Sequence, residues 1–440
     1  MTLRWIAEAL SAKTAAGDER AVTRISTDSR DATGGDTLFI ALRGEHFDGH
    51  DFIPDVYKAG VRSFVVEGAY RSRDDARYFS VENTLAAYGA IARSYRERFA
   101  IPVIAITGSC GKTTTKELIA LFLATKYHVL KTEGNFNNEI GVPKTLFGLD
   151  GSHTSAVIEM GMNHAGELAR LSGIARPTTA LVTNVEPVHL EYFDSVEAIA
   201  RAKAEIFSSM STDARAVINA DSPFADILRS EARRYGVQSM IEFSHKEVEV
   251  IEAGRFRWNS VEFRHTLPGS FSRMNIIAAL TVARMHGVHA DACAQALTSF
   301  TTVKDRMQVV PIGASVIIND TYNSNPAALN AMLDELASYD GYERIAVIGD
   351  MKELGEQSRT LHEAAGRHID SLPIETVFTF GDEAANIIGA ITRDMEKRHF
   401  TDRDSLVNAI RARVSGKAAV LLKASHSMGF SSVYGSVIAR

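Results

Sequence analysis

Residues 101–127 read IPVIAITGSCGKTTTKELIALFLATKY, and the fold of the chain turns on how this stretch is parsed. The run "IPVIAIT" is short, apolar and β-rich, "GSCG" is a turn, and "KTTTKELIALFLATKY" has the apolar spacing of a long helix. Strand, glycine-bearing loop and helix in that order make a phosphate-binding loop. Gly108 and Gly111 let backbone N–H groups point at phosphate, and the helix start favours an anion. Lys112 supplies a mobile positive charge, and the Thr113 hydroxyl suits magnesium. Thr107, Ser109, Cys110 and Thr114 complete the loop, with Cys110 read as small filler rather than as a nucleophile. Ala105 stands where the general pattern has its first glycine. A plain glycine-rich turn is the structural alternative, and the Gly-Lys-Thr triplet in this setting argues against it.

Working outward, further strands are predicted at "SAVIE" (Ser155 to Glu159) and "TALVTN" (Thr179 to Asn184), each leading into helical sequence. The middle of the chain, 84–309, is therefore expected to be a mostly parallel sheet built around the phosphate loop. Residues 310–440 alternate again, with strands at "SVIIND", "RIAVIGD", "TVFTFG" and "AAVLLKAS", which predicts a Rossmann-like third unit. Residues 1–83, with "TLFIAL" and "SFVVE" around the helical "FIPDVYKAG", form a small α/β unit. The fold class is α/β in three domains. Ligands of open parallel sheets collect beyond the carboxyl ends of strands, where Glu159, Asn184, Asp320, Asp350 and Lys423 fall in this reading.

Composition narrows the function. A 440-residue chain with 45% hydrophobic and 23% charged residues is ordinary for a globular protein of about three domains. A net charge of -6 without a basic run gives no footprint for nucleic acid or an anionic membrane. Cys110 and Cys293 have no metal-type spacing and make no disulfide framework, and no signal-like segment is seen, so a cytoplasmic protein is expected.

One lysine breaks its helix pattern. In "SVEAIARAKAEIF", Val196, Ile199, Ala200, Ile206 and Phe207 make an apolar stripe, and Lys203 lies in the middle of it. A buried ammonium must be paired, neutralised or altered, unless its stem carries it out to water. Glu159 ends a strand beside the phosphate loop, and His189 follows on the next loop. Each is bland alone. Together with Thr113 they form a set able to converge on hard magnesium, which wants oxygen ligands and would be repelled by an unmodified ammonium. A lysine carbamate would reverse that charge.

The segments "TGSCGKTTTKE", "EGNFNNEIGVPKTL", "IEMGMNHAGELARL", "TNVEPVHLEYF", "RAKAEIF", "DRMQ", "NDTYNSNPAAL" and "GDMKELGEQS" resemble the Mur ligases. "STDSR" and "FIALRGEHFDGHDF" are similar to that family's nucleotide-sugar domain. "NFNNEIG" and "YNSNP" point to the branch that adds D-alanyl-D-alanine to a UDP-N-acetylmuramoyl tripeptide through an acyl phosphate. The resemblance implies a UDP-sugar domain at 1–83, a central ATPase domain at 84–309 and a mobile Rossmann-like domain at 310–440. It implies ATP, two magnesium ions and a carbamate on Lys203, with Thr113, Glu159 and His189 at metal positions. Lys112, Lys203 and His189 are the implied catalytic residues. Asn275 matches an adenine contact, Arg306 an arginine near the phosphates and Asp320 a ribose-side aspartate, with Tyr322 and Asn325 beside the nucleotide. Ser29, Arg30, Asp48, Gly49 and His50 fall on the nucleotide-sugar side, and Asn137 and Asn138 toward the peptide. A monomer is implied, with small-molecule partners only.

Three departures stand out. Phe271 and Ser272 replace the family's usual His-Asn pair, and Glu186 replaces a glycine near the metal. The family's Lys-Gly-Ser-Arg run appears as Lys423, Ala424, Ser425 and His426, a titratable ring in place of a forked cation. A related ligase with another acceptor or acyl donor is the competing reading. A non-catalytic nucleotide switch is disfavoured by the retention of Lys112, Glu159, His189 and Lys203.

Overall fold

The computed structural model describes residues 1–12, 18–44, 46–70, 73–188, 190–211 and 213–439. His189 therefore lies outside the described residues. The described chain forms four sheets, three of them mainly or wholly parallel and interleaved with helices, as the α/β reading expects.

The central sheet has six parallel strands in the order Ser239–Phe243, Arg215–Asn219, Thr179–Val182, Val103–Thr107, Ser155–Glu159, Val129–Lys131. Val103–Thr107 is buried along its whole length, which suits an apolar run covered by helices on both faces. The chain leaves this strand for the far edge on one side and later crosses to the other side, so the phosphate loop sits at a topological switch point. Ile106 is registered with Glu159 and Thr107 with Val182, which brings the ends of three strands to one crest.

Helix Lys112–Leu123 packs on one face through Leu118, Ile119, Phe122 and Leu123 against helix Ser270–Met285. Helix Val196–Ala204 covers the other face through Ile199 and Ala200, and Glu205–Phe207 tightens into a 3₁₀ turn. Ser195 caps it, its hydroxyl accepting from the Ala198 N–H at 3.1 Å.

The N-terminal sheet holds four parallel strands, Arg24–Ser26, Thr37–Ile40, Ser63–Glu67 and Arg77–Val81. Helix Thr84–Arg96 is shared. Its Ala87, Tyr88 and Ile91 enter the N-terminal core, while Arg96 donates to the carbonyl of Ala175 in the central unit at 3.0 Å. A small antiparallel sheet, Val248–Glu252, Arg255–Trp258 and Val261–Arg264, is a feature that the strand pattern above does not include.

The C-terminal sheet runs Gln308–Ile312, Ser315–Asp320, Ala418–Lys423, Glu343–Gly349, Thr376–Phe380, Glu396–Phe400, with only the first strand antiparallel. Apolar clusters fill both of its faces. The segment entering it carries two non-glycine residues in the left-handed region, Asp305 at φ 60° and Met307 at φ 48°. Among the described residues no helix is long and apolar enough to cross a membrane.

Candidate active site

A cleft of about 1000 Å³ opens where the crest of the central sheet faces the crest of the C-terminal sheet. Ser109, Cys110, Gly111, Lys112 and Thr114 line it from the phosphate loop, and Thr107, Gly108 and Thr113 are buried behind them. Two glycines are required by space as well as by conformation. A Cβ on Gly108, at φ 151°, would collide with the Thr183 hydroxyl, and one on Gly111, at φ 77°, with the Asn275 amide. Asn184, two residues past its strand, braces the loop: its side-chain oxygen accepts from Cys110 N–H at 2.8 Å and its carbonyl from Ser109 N–H at 3.1 Å. Lys112 donates to the carbonyls of Gly108 and Ser109 at 2.7 and 3.3 Å, and burial lowers the pKa of its ammonium.

Glu159 is 1% exposed. Its Oε1 accepts from Asn137 Nδ2 at 2.9 Å, while Oε2 is buried without a partner among the described residues. An orphaned carboxylate oxygen is costly unless something else binds it, and a hard cation fits that need. With the Thr113 hydroxyl on the second residue of the helix that follows the loop, the donor set is oxygen, as magnesium requires. Among the described residues no three His, Cys, Asp or Glu side chains cluster into a metal cage.

Lys203 is also 1% exposed, and no described residue offers it a hydrogen bond or an ion pair. Burial, then the charge of Lys112, drives its pKa well below the ordinary lysine range. The apolar stripe read from sequence is thus a true interior face, and the lysine on it is a buried amine close enough to the phosphate loop to feel the charge of Lys112.

The C-terminal side supplies Arg306, Asp320, Tyr322 and Asn325. The Arg306 guanidinium lies 3.7 Å from the Tyr322 ring centroid. It is held by its neighbour: the Asp305 carboxylate accepts from Asn319 Nδ2 and Ser431 Oγ, both at 3.0 Å, and the Asp305 carbonyl from Tyr322 N–H at 2.9 Å. Asp320 and Lys423 stand opposite in register and form a buried ion pair at 2.5 Å. Asn325 caps helix Pro326–Ala337 through its oxygen and donates to Cys110 Sγ at 3.1 Å, so this contact joins the two crests. Asn275 lines the wall with its Nδ2 buried and unpartnered among the described residues.

The cleft gathers most of the predicted set, but not all of it. Asn137 and Asn138 do line it, yet the Asn137 amide is spent on Glu159 and the Asn138 oxygen caps the N–H groups of Ile140 and Gly141. Ser29, Arg30, Asp48, Gly49 and His50 lie on the N-terminal unit away from this cleft. Arg30 grips Asp28, and His50 bridges the Asp48 carboxylate and the Glu67 N–H at 2.5 and 2.9 Å. Asn184 was legible only as a strand end, and Lys423 as a strand end and as the lysine of the Lys-Gly-Ser-Arg-like run, with no signal for its pairing with Asp320.

Known proteins carry the same organisation. Residues 21–96 match the Mur ligase family catalytic domain, 106–283 the Mur ligase middle domain, and 305–426 the Mur ligase glutamate ligase domain. The chain is 37% identical over 424 residues to the UDP-N-acetylmuramoyl-tripeptide--D-alanyl-D-alanine ligase of Synechocystis, covering 95% of this chain and 92% of that one. The chain belongs to the Mur ligase family. The Bacillus subtilis ligase of the same name is 33% identical over 91% of this chain and 90% of its own length. Among solved Mur ligases, MurF from Acinetobacter baumannii superposes with a TM-score of 0.90 at 27% identity, covering 100% and 99% of the two chains. MurF from Thermotoga maritima, solved in complex with ADP, gives a TM-score of 0.84 at 30% identity over 94% and 96%.

Proposed function

We propose that this Mur ligase joins D-alanyl-D-alanine to UDP-N-acetylmuramoyl-tripeptide at the expense of ATP. The observation that carries the reading is the convergence on one cleft of the phosphate loop and the Glu159 carboxylate from one sheet with Arg306, Asp320 and Tyr322 from another, with the buried Lys203 behind the loop. Residues 1–83 are assigned to the UDP-sugar, with Ser29, Arg30, Asp48, Gly49 and His50 on that side, 84–309 to ATP, and 310–440 to closure over both.

In the reaction, a peptide carboxylate oxygen attacks the γ-phosphorus of ATP and ADP leaves, giving an acyl phosphate. The dipeptide amine then attacks the acyl carbon, the C–O bond breaks, and phosphate and a proton depart. Lys112 and Arg306 offset charge on the moving phosphoryl group, and the phosphate-loop N–H groups hold the nucleotide. Magnesium held by Thr113, Glu159 and, outside the described residues, His189 would supply further charge neutralisation. Asn275 is assigned to adenine, Asp320 to ribose, Tyr322 and Asn325 to the nucleotide's flank, and Asn137 and Asn138 to the peptide end. Closure of residues 310–440 over the cleft would exclude water, which an acyl phosphate requires.

Lys203 is assigned a carbamate. Its uncharged nitrogen adds to carbon dioxide, forming a C–N bond and releasing one proton, and the resulting anion replaces an awkward buried base. Lys203→Ala should lose activity and regain it with short carboxylic acids; full activity without them removes the assignment. The whole reading is tested by ADP release with both substrates. Turnover without any acceptor, or none with the dipeptide, overturns it. A second acceptor remains a specific alternative because His426 faces the cleft, its Nδ1 3.3 Å from the Tyr322 carbonyl. Product masses from an acceptor panel decide between the two.

A further inference from the structure

Lys116 is a buried cation that the reaction above does not use. It follows the phosphate loop by one turn of helix Lys112–Leu123 and is 1% exposed. Its ammonium donates to the Thr132 carbonyl at 2.6 Å and pairs with Glu117 at 2.9 Å, and Glu117 in turn pairs with Lys131. Thr132, fully buried just past strand Val129–Lys131, uses its hydroxyl to accept the backbone N–H of Glu159 at 2.9 Å. The same threonine opens the loop that carries Asn137 onto Glu159 Oε1.

A lysine for packing alone makes little sense here, since an apolar side chain fills the same space without desolvating a charge. Its bonds instead tie three parts together: the helix that presents Lys112 and Thr113, the strand end that presents Glu159, and the loop that orients the Glu159 carboxylate. We propose that Lys116 is a positioning residue, acting through Thr132 to hold Glu159 and Thr113 at the spacing a divalent cation needs. The proposal rests on the reading of Glu159 as a metal ligand. Groups that orient a metal's ligands typically change affinity or activity by about 10- to 100-fold when removed.

The test uses Lys116→Met, Thr132→Val and Thr132→Ser in the full-length chain, with Glu159→Gln as the control for the ligand itself. Manganese affinity of the ADP-loaded protein is read by electron paramagnetic resonance. In parallel, the magnesium needed for half-maximal rate, the KM for the dipeptide and the melting temperature without metal are measured. Lys116→Met and Thr132→Val should each weaken manganese binding and raise the magnesium requirement about 10-fold or more, with the dipeptide KM unchanged. Thr132→Ser keeps the hydroxyl and should bind manganese as the unaltered chain does. If Lys116→Met fails to fold, Thr132→Val carries the test, because it leaves the ammonium and its carbonyl in place. Loss of melting temperature with unchanged manganese affinity makes Lys116 structural only and overturns the proposal. Unchanged affinity in Glu159→Gln instead overturns the ligand reading, and the proposal with it.

Discussion

Replacing Lys203 with methionine should make the protein more stable and less active at once. The side chain is 1% exposed with no hydrogen bond or ion pair among the described residues, so in the uncarbamylated state burial strips water from the amine with no compensating partner there. Such a group costs about 1–3 kcal/mol. Methionine keeps most of the volume and removes the penalty, so a gain of that size is expected, diluted by any imperfect repacking. For a unit the size of the central one, each kcal/mol moves the melting temperature by about 2–4 °C. The assay is calorimetry in metal-free buffer purged of carbon dioxide, against the same buffer with bicarbonate.

The pH dependence has a definite sign. The folded-state pKa of Lys203 lies below its ordinary 10.5, so between the two the unfolded chain binds the extra proton. Stability of the unaltered chain therefore rises with pH through that window and is lost as pH falls, while Lys203→Met is flatter. Bicarbonate should raise the melting temperature of the unaltered chain only. Turnover of the variant should fall by about 100-fold or more. A variant that melts below the unaltered chain in purged buffer, or that turns over normally, would refute the reasoning.

Three further outcomes are expected. Gly108→Ala combines a left-handed backbone with a collision at Thr183, so it should lose about 1–3 kcal/mol of stability and most ATP affinity, read by melting and by a fluorescent nucleotide. Asp320→Asn leaves Lys423 buried and unpaired and should cost about 3–5 kcal/mol, whereas Asp320→Asn with Lys423→Met should cost clearly less than the two single changes summed, as denaturant titration will show. His286 is held to about 4 from 6.5 by burial, then by Arg215 and Lys126, so stability is lost as pH drops from 6.5 toward 4. His286→Gln should flatten that part of the profile in thermal melts.

The phosphate loop and the parallel sheets were legible because their signals are local: apolar strand, glycine turn and helix within 27 residues. Lys203 was legible because a single charge on an apolar helical face stands out at 3.6 residues per turn. The Asp320–Lys423 pair was not, since 103 residues separate the partners and only strand order makes them neighbours. Asn137 lines the cleft as its sequence reading expects, and its bond to Glu159 was hidden because only tertiary placement brings the two together. The hairpin Arg255–Trp258 to Val261–Arg264 escaped because it turns on Asn259 and Ser260, at φ 45° and 67°, without the glycine that usually marks such a turn.

The anchoring of Arg306 has a consequence for inhibition. Asp305 fastens the backbone beside this arginine to Asn319 and Ser431, so the guanidinium moves with the C-terminal body whenever that body tilts. A small molecule wedged anywhere along the seam, even far from the purine end, withdraws the guanidinium by leverage. Such a wedge would slow turnover by holding the two crests apart, which makes the seam a target distinct from the phosphate loop itself.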